Sequence, residues 1–395
     1  MCTNPVPRRF PTCIEHPLKI LIHALGANMG GAIRHLTNFL PELGEVDQVN
    51  EYTVLIRESI PLPCAYGNVQ LVGTKDKTAK SWCARVGHDV FLLPGRLKRE
   101  GFSCLVSLTN FGPIWSSIPN VFFQTNAIYY CPYYLEKVNG RLKMEAYMRR
   151  QLALASMMRA DLIVTPSHAM EDMIRDMCPE TTSRSFKVLY HGFTRDSLQD
   201  PLDQKFEKIF SNGKGIRLLY PTHPGHHKGF KILFDALANL RDKGVEFTLY
   251  TTVSRDDWPE GVNRYERQVA DLGLKEHVVF MGRVPQGQMG SLYSRCDLMI
   301  YPSLCESFGF SMVEAMGYGL PIVAADTRIN REICGCGAIY YPPLDPKSAA
   351  ATICEALKPD VNRRLLEAGK VRVDGFDWSW RRYAREFVEM VEAVS

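Results

Sequence analysis

"DLMIYPSLCESFGFSMVEAMGYGLPIVAAD", residues 297–326, reads as strand, turn, helix, strand. "DLMIYPS" is the short apolar run of a strand covered on both faces. "SMVEAMGYG" predicts a helix beginning near Phe310 or Ser311, and "PIVAAD" the next strand. Such a unit belongs to a parallel sheet flanked by helices. Glu306 then falls just beyond a strand's carboxyl end, where open α/β sheets hold ligands. Gly309 lets the backbone come close to a ligand. The free N–H groups of the helix start face the same crevice and attract an anion. Glu314 lies about one turn into that helix.

Working outward, the same grammar covers the chain. "LKILIHAL" (18–25), "YTVLI" (52–56), "FSCLVSL", "NVFFQT" and "ADLIVTPS" are apolar runs separated by helical or turn-like segments. "AIRHLTNFLPEL" has apolar residues at Ile33, Leu36, Phe39, Leu40 and Leu43, the spacing of a helix with one buried face. "IRLLYPT" (216–222) opens a second series, followed by the helix "GFKILFDALANLRDKG" and the strands "VEFTLYT" and "HVVFMG". The expected fold class is α/β, with two doubly wound Rossmann-like domains. The join is expected near "VLYHGFTRDSL" (188–198). The final segment, "WSWRRYAREFVEMVEAV", predicts an amphipathic helix.

The 395 residues exceed one ordinary core, which agrees with two domains. The formal charge of +4 is too small to argue for nucleic acid. Twelve cysteines are scattered with no CxxC spacing, and the polar start (1–17) lacks the apolar core of a signal peptide. A cytoplasmic setting with free thiols is expected. No apolar run approaches the ~20 residues of a spanning helix. Membrane contact, if it occurs, is peripheral. The basic helical stretch 136–161, with Lys143, Arg149, Arg150 and Arg159, leaves two readings open: an anionic membrane or charged acceptor surface, or a solvated helix face.

Two carboxylates beside an anion site suit a ligand whose charged centre is flanked by hydroxyls, because carboxylates accept from O–H donors. A nucleoside diphosphate-sugar has that layout. "ESFGFSMVE" followed by "AMGYGLPIVAAD" resembles the E-x7-E signature of the retaining family 4 glycosyltransferases. "ADLIVTPSHAM", "HKGF", "VVFMGRV", "DLMIYPS" and the terminal helix extend the resemblance over most of the chain. It implies the GT-B fold, two such domains facing each other across a cleft. An acceptor-side domain would span 1–192, with 377–395 crossing back onto it. A nucleotide-sugar-binding domain would span 193–376. It implies metal-independent transfer, without a cofactor, from a UDP- or GDP-type donor to a glycan, lipid-linked or small-molecule acceptor.

Residue by residue, the resemblance implies Glu306 on the donor sugar and Glu314 on the ribose. Ser307, Phe308, Gly309, Phe310 and Ser311 would bind sugar and phosphate. Lys228 would neutralise the leaving diphosphate, and with Glu306 it is the candidate catalytic pair. Gly30 and Gly31 would border the diphosphate and the acceptor, and Arg283 and Val284 the nucleobase. That family ordinarily carries an Arg five or six residues before the Lys, where this chain has His223 and Thr222. His223, His226 and Arg283 are the candidate replacements. A His at a strand end, common in that family, has its nearest candidate here in Asn126, which cannot relay a proton. The histidines of "HPGHH" lack acidic or cysteine companions at a metal-binding spacing. A non-catalytic nucleotide-sugar-binding protein and a sugar-nucleotide epimerase are the alternatives.

Overall fold

The computed structural model describes residues 16–27, 30–75, 82–108, 110–195 and 199–395. The tail before His16, the middle of the "GANMGG" turn and the end of the 188–198 join lie outside them. Apolar runs become strands because both faces are covered. β1 (Lys19–His23), β2 (Glu51–Arg57), β3 (Ala65–Tyr66), β4 (Val69–Thr74), β5 (Cys104–Ser107), β6 (Asn120–Phe123), β7 (Leu162–Thr165) and β8 (Phe186–Val188) form one sheet. Its order is β3-β4-β2-β1-β5-β6-β7-β8, with every pair parallel except β3–β4.

β9 (Ile216–Tyr220), β10 (Phe247–Thr251), β11 (Val278–Phe280), β12 (Leu298–Tyr301), β13 (Ile322–Ala325) and β14 (Ala338–Tyr341) form a second, fully parallel sheet. Its order is β11-β10-β9-β12-β13-β14, so the chain reverses direction of travel between β9 and β12. A crevice opens beyond the strand ends at such a switch point.

Among the helices that lie where the domains meet or on the surface beside it are α1 (Gly30–Val46), α2 (Gly140–Met157), α3 (His168–Met177), α4 (Phe230–Asp242), α5 (Phe310–Gly317) and α6 (Trp380–Val394). The apolar stripe of α6 buries Trp380, Tyr383, Phe387, Met390 and Val391 in the core of the first sheet, against Leu36, Phe39, Leu40 and Leu43 of α1. The C-terminal helix therefore crosses back to the first domain. Its route lies beside the outgoing one. Phe193 N donates to Trp378 O, and Arg382 donates to Tyr190 O. At Gly192 an added Cβ would stand 2.4 Å from the Trp380 indole, so only glycine fits between the two crossing segments. Among the described residues, no helix is long and apolar enough to cross a membrane.

Candidate active site

Lys228 follows β9 and Glu306 follows β12, the two neighbours at the switch point. Gly229 brings their loops together. It adopts a left-handed conformation, φ +67°, at the start of α4, and a Cβ there would meet Pro302 O at 2.2 Å. That close approach sets Lys228 Nζ 2.7 Å from Glu306 Oε1. Both side chains are largely buried. Burial alone raises the Glu306 pKa, but the Lys228 ammonium, the neighbouring His227 and hydrogen bonds from Lys228 and Ser303 together outweigh it and hold the carboxyl below its ordinary 4.5.

A stability consequence follows from that depression. The charged pair contributes fully above about pH 4.5, and the contribution fades as pH falls through the lowered value. The melting-temperature advantage of the native chain over Glu306→Gln is therefore expected to hold from neutral pH down to about 5 and to shrink below about 4. An advantage independent of pH would show that Glu306 is not ionised in the folded state.

The helix α5 starts at Phe310, and Gly309 takes φ +87° before it. A Cβ at Gly309 would lie 2.4 Å from Met312 Cε, so the left-handed turn and the tight packing both demand glycine. Glu314, one turn on, is buried and fully engaged. Its Oε2 accepts from the Tyr293 hydroxyl at 2.6 Å, and its Oε1 from Gln286 at 3.3 Å. Arg34, in the first turns of α1, forms an ion pair with Oε1 across the domain boundary. Its guanidinium also lies over the Phe310 ring, 4.6 Å from the centroid. Gly31 faces the same ring, where an added Cβ would be 3.5 Å away, and Gly30 is the first residue of α1. Gly31 thus meets the start of α5. Arg34 carries no motif of its own and was missed. Its only sequence signal is a cation just after the glycine pair.

The other candidates lie around this centre. Ser307 O accepts from Ser167, the residue capping α3 of the first domain. Phe308 is buried, and its ring meets His191 edge-on. Phe310 bridges both domain cores. Ser311 occupies the first turn of α5. Arg283, beyond β11, is exposed and pairs with Asp257, while Val284 packs on the second core. His223 is an exposed loop residue after β9. His227 sits deeper, edge-on to Tyr134 of the first domain with centroids 6.0 Å apart. Burial and then the Lys228 charge push its imidazole down to about 3, so it is neutral near pH 7.

Asn126 does not present its side chain as a free group. It caps a short turn, accepting from Ile128 N at 3.1 Å. The polar residue directly after β6 is Gln124, fully buried, donating to Tyr130 at 2.8 Å and accepting from Asn126 N at 3.2 Å. Its signal is its place right after the apolar run, two residues ahead of Asn126. Glu332 accepts from His168 N and Ala169 N at 2.7 and 2.6 Å, capping α3 from the opposite domain. Among the described residues, one trio has converging metal-type donors: His23, His88 and Asp89. Both imidazoles approach the same Asp89 oxygen, at 2.8 and 3.0 Å, as a buried polar cluster would. The "HPGHH" histidines form no such trio.

Cations, carboxylates and a free helix start thus converge where the two domains meet. Residues 203–371 match the family model described as glycosyl transferases group 1. The phosphatidyl-myo-inositol mannosyltransferase of Mycobacterium leprae is 32% identical over 218 residues, covering 53% of this chain and 55% of that protein. The chain spans about half the length of the curated relatives it matches. Two solved structures superpose over nearly the whole chain. Sucrose-phosphate synthase from Thermosynechococcus elongatus has a TM-score of 0.73 at 16% identity, covering 94% of this chain and 98% of its own. HepE from Anabaena, in complex with UDP-glucose, has a TM-score of 0.70 at 17% identity, covering 95% and 100%. The two parallel-sheet domains and the helix returning to the first of them are the GT-B fold.

Proposed function

We propose that this chain is a retaining, metal-independent hexosyltransferase moving a sugar from a UDP- or GDP-type donor to an acceptor hydroxyl. The observation that carries the reading is the Lys228–Glu306 pair beside the free start of α5, with Glu314 one turn further on. The donor would lie on the second domain, residues 193–376. The acceptor, a glycan, lipid-linked sugar or small molecule, would lie on the first, residues 1–192 with 377–395. Departure of a nucleoside diphosphate develops negative charge on its terminal phosphate. The α5 N–H groups and Lys228 would stabilise that charge as it forms. Glu306 and Glu314 would accept hydroxyls of the sugar and ribose. The leaving oxygen would take the acceptor's proton on the same face, which keeps the anomeric configuration and requires no enzyme nucleophile. Val284 and the backbone at Arg283 would border the base.

Mannosyltransferases among the relatives and a UDP-glucose complex among the structural neighbours favour a panel containing UDP-glucose and GDP-mannose. A matching donor stabilises by RT ln(1 + [L]/Kd), about 2.7 kcal/mol at 100 times Kd, and raises the melting temperature by several degrees. Transfer or slow hydrolysis of the same donor is the second readout. No stabilisation by any nucleotide sugar overturns the proposal. Stabilisation without product turns it into the binding-protein reading.

A further inference from the structure

The helix α2 buries Ala146, Ala153, Ser156 and Met157 on one face. At 3.6 residues per turn, the opposite face carries Met144, Tyr147, Met148, Gln151, Ala155 and, at its end, Met158, within an arc of about 100°. A helix lying on a soluble domain ordinarily shows charge there. This one shows none, and Met144, Tyr147 and Met148 are 59%, 50% and 45% exposed. Cations border the strip on both sides: Lys143 and Arg150 along one edge, Arg141 and Arg159 along the other. Arg150 lies over the Tyr147 ring, and Arg159 over the exposed Trp115 at 4.8 Å. The one acidic residue of the helix, Glu145, lies outside the strip and pairs with Arg149. Apolar side chains occur on both faces, so simple helical periodicity does not single this strip out.

We infer that the outward face of α2 docks the first domain on an anionic lipid bilayer. An uncharged strip with an aromatic side chain, edged by Lys and Arg, matches the acyl boundary and the phosphate layer above it. The long cationic stems reach the headgroups while the methionines enter the interface. The segment just before α2 reaches the cleft. Tyr134 touches His227, and Cys131 Sγ lies 3.6 Å from Leu304 O. A chain held this way opens its acceptor side near the membrane. For the reaction proposed above, and resting on it, this favours a lipid-linked acceptor. The docking itself does not depend on that reaction.

Co-sedimentation of the full chain tests the docking without any turnover. The probes are phosphatidylcholine vesicles, with and without one-third phosphatidylglycerol. The chain is expected to sediment with the anionic vesicles only and to be released by added salt. Met144→Glu/Tyr147→Glu/Met148→Glu is expected to lower the bound fraction roughly tenfold or more at an unchanged melting temperature. Should that variant fail to fold, Met144→Ser/Met148→Ser gives the same comparison with a smaller loss. Failure of the native chain to sediment with anionic vesicles overturns the inference, and so does undiminished binding by the folded variants. A dimer abolished by Met148→Glu, without vesicle binding, would assign the face to a second copy and also overturn it.

Discussion

Lys228→Ala is expected to lower turnover by on the order of 10²-fold or more, the effect of removing one donor aimed at developing charge. Lys228 is only 7% exposed, so its charge is poorly screened by solvent. A cation beside a helix start is unfavourable unless an anion balances it. Here the start of α4 follows at once, and Glu306 supplies the anion. A donor diphosphate would bring a stronger one. The substitution also strands Glu306, a carboxylate whose depressed pKa depends on that ammonium. A drop in activity alone would therefore confuse catalysis with stability. Lys228→Ala/Glu306→Gln removes the stranded charge. This double variant is expected to recover melting temperature relative to Lys228→Ala while staying as slow. Turnover at saturating donor and thermal denaturation, measured on the same preparations, separate the two effects. Native-like turnover in Lys228→Ala removes this residue from the mechanism.

What could be read in the residues is the part governed by local rules. Apolar runs covered on both faces announced the strands at 19–23, 51–57, 216–220 and 298–301. The helix-period stripe at Tyr383, Phe387, Met390 and Val391 announced a helix needing an apolar partner, and α1 supplies it. The strands at 65–66, 69–74, 186–188 and 338–341 escaped because they are partly exposed edge or near-edge segments with weak patterning. At the site, motif spacing located Glu306, Lys228, Gly309 and the start of α5. It gave no hint of who would hold Glu314. Spacing alone leaves that carboxylate free for a hydroxyl, whereas the fold surrounds it with Tyr293, Gln286 and Arg34. Gln286 comes from a short turn and Tyr293 from the helix Met289–Ser294 after it, both in the same domain, and Arg34 from the other domain. Proximity across a cleft has no local signature. The same limit explains Glu332, whose role as a cap on α3 depends on how the domains meet.

The Arg34–Glu314 pair leads to the second large effect. Each carboxylate of the site holds a cation of its own: Glu306 holds Lys228, and Glu314 holds Arg34. A nucleoside diphosphate-sugar would supply hydroxyls to both carboxylates and a diphosphate between them. We propose that binding is an exchange, in which each carboxylate trades its cation for a hydroxyl and both cations turn to the diphosphate. Arg34 is placed for this, because its guanidinium already overlies Phe310 at the start of α5. The exchange predicts opposite signs for two ligands of Arg34→Ala. Affinity for the nucleoside diphosphate is expected to fall roughly 10- to 100-fold, the worth of a charge-assisted hydrogen bond of about 1.5–3 kcal/mol. Affinity for the bare nucleoside is expected to hold or rise, since its ribose no longer competes with Arg34 for Glu314. Calorimetric titration with UDP and uridine, or GDP and guanosine, reads both. A parallel loss for both ligands would mean that Arg34 only props the site open, and the exchange would be wrong. Absence of nucleoside diphosphate binding by the native chain would instead sink the proposed reaction.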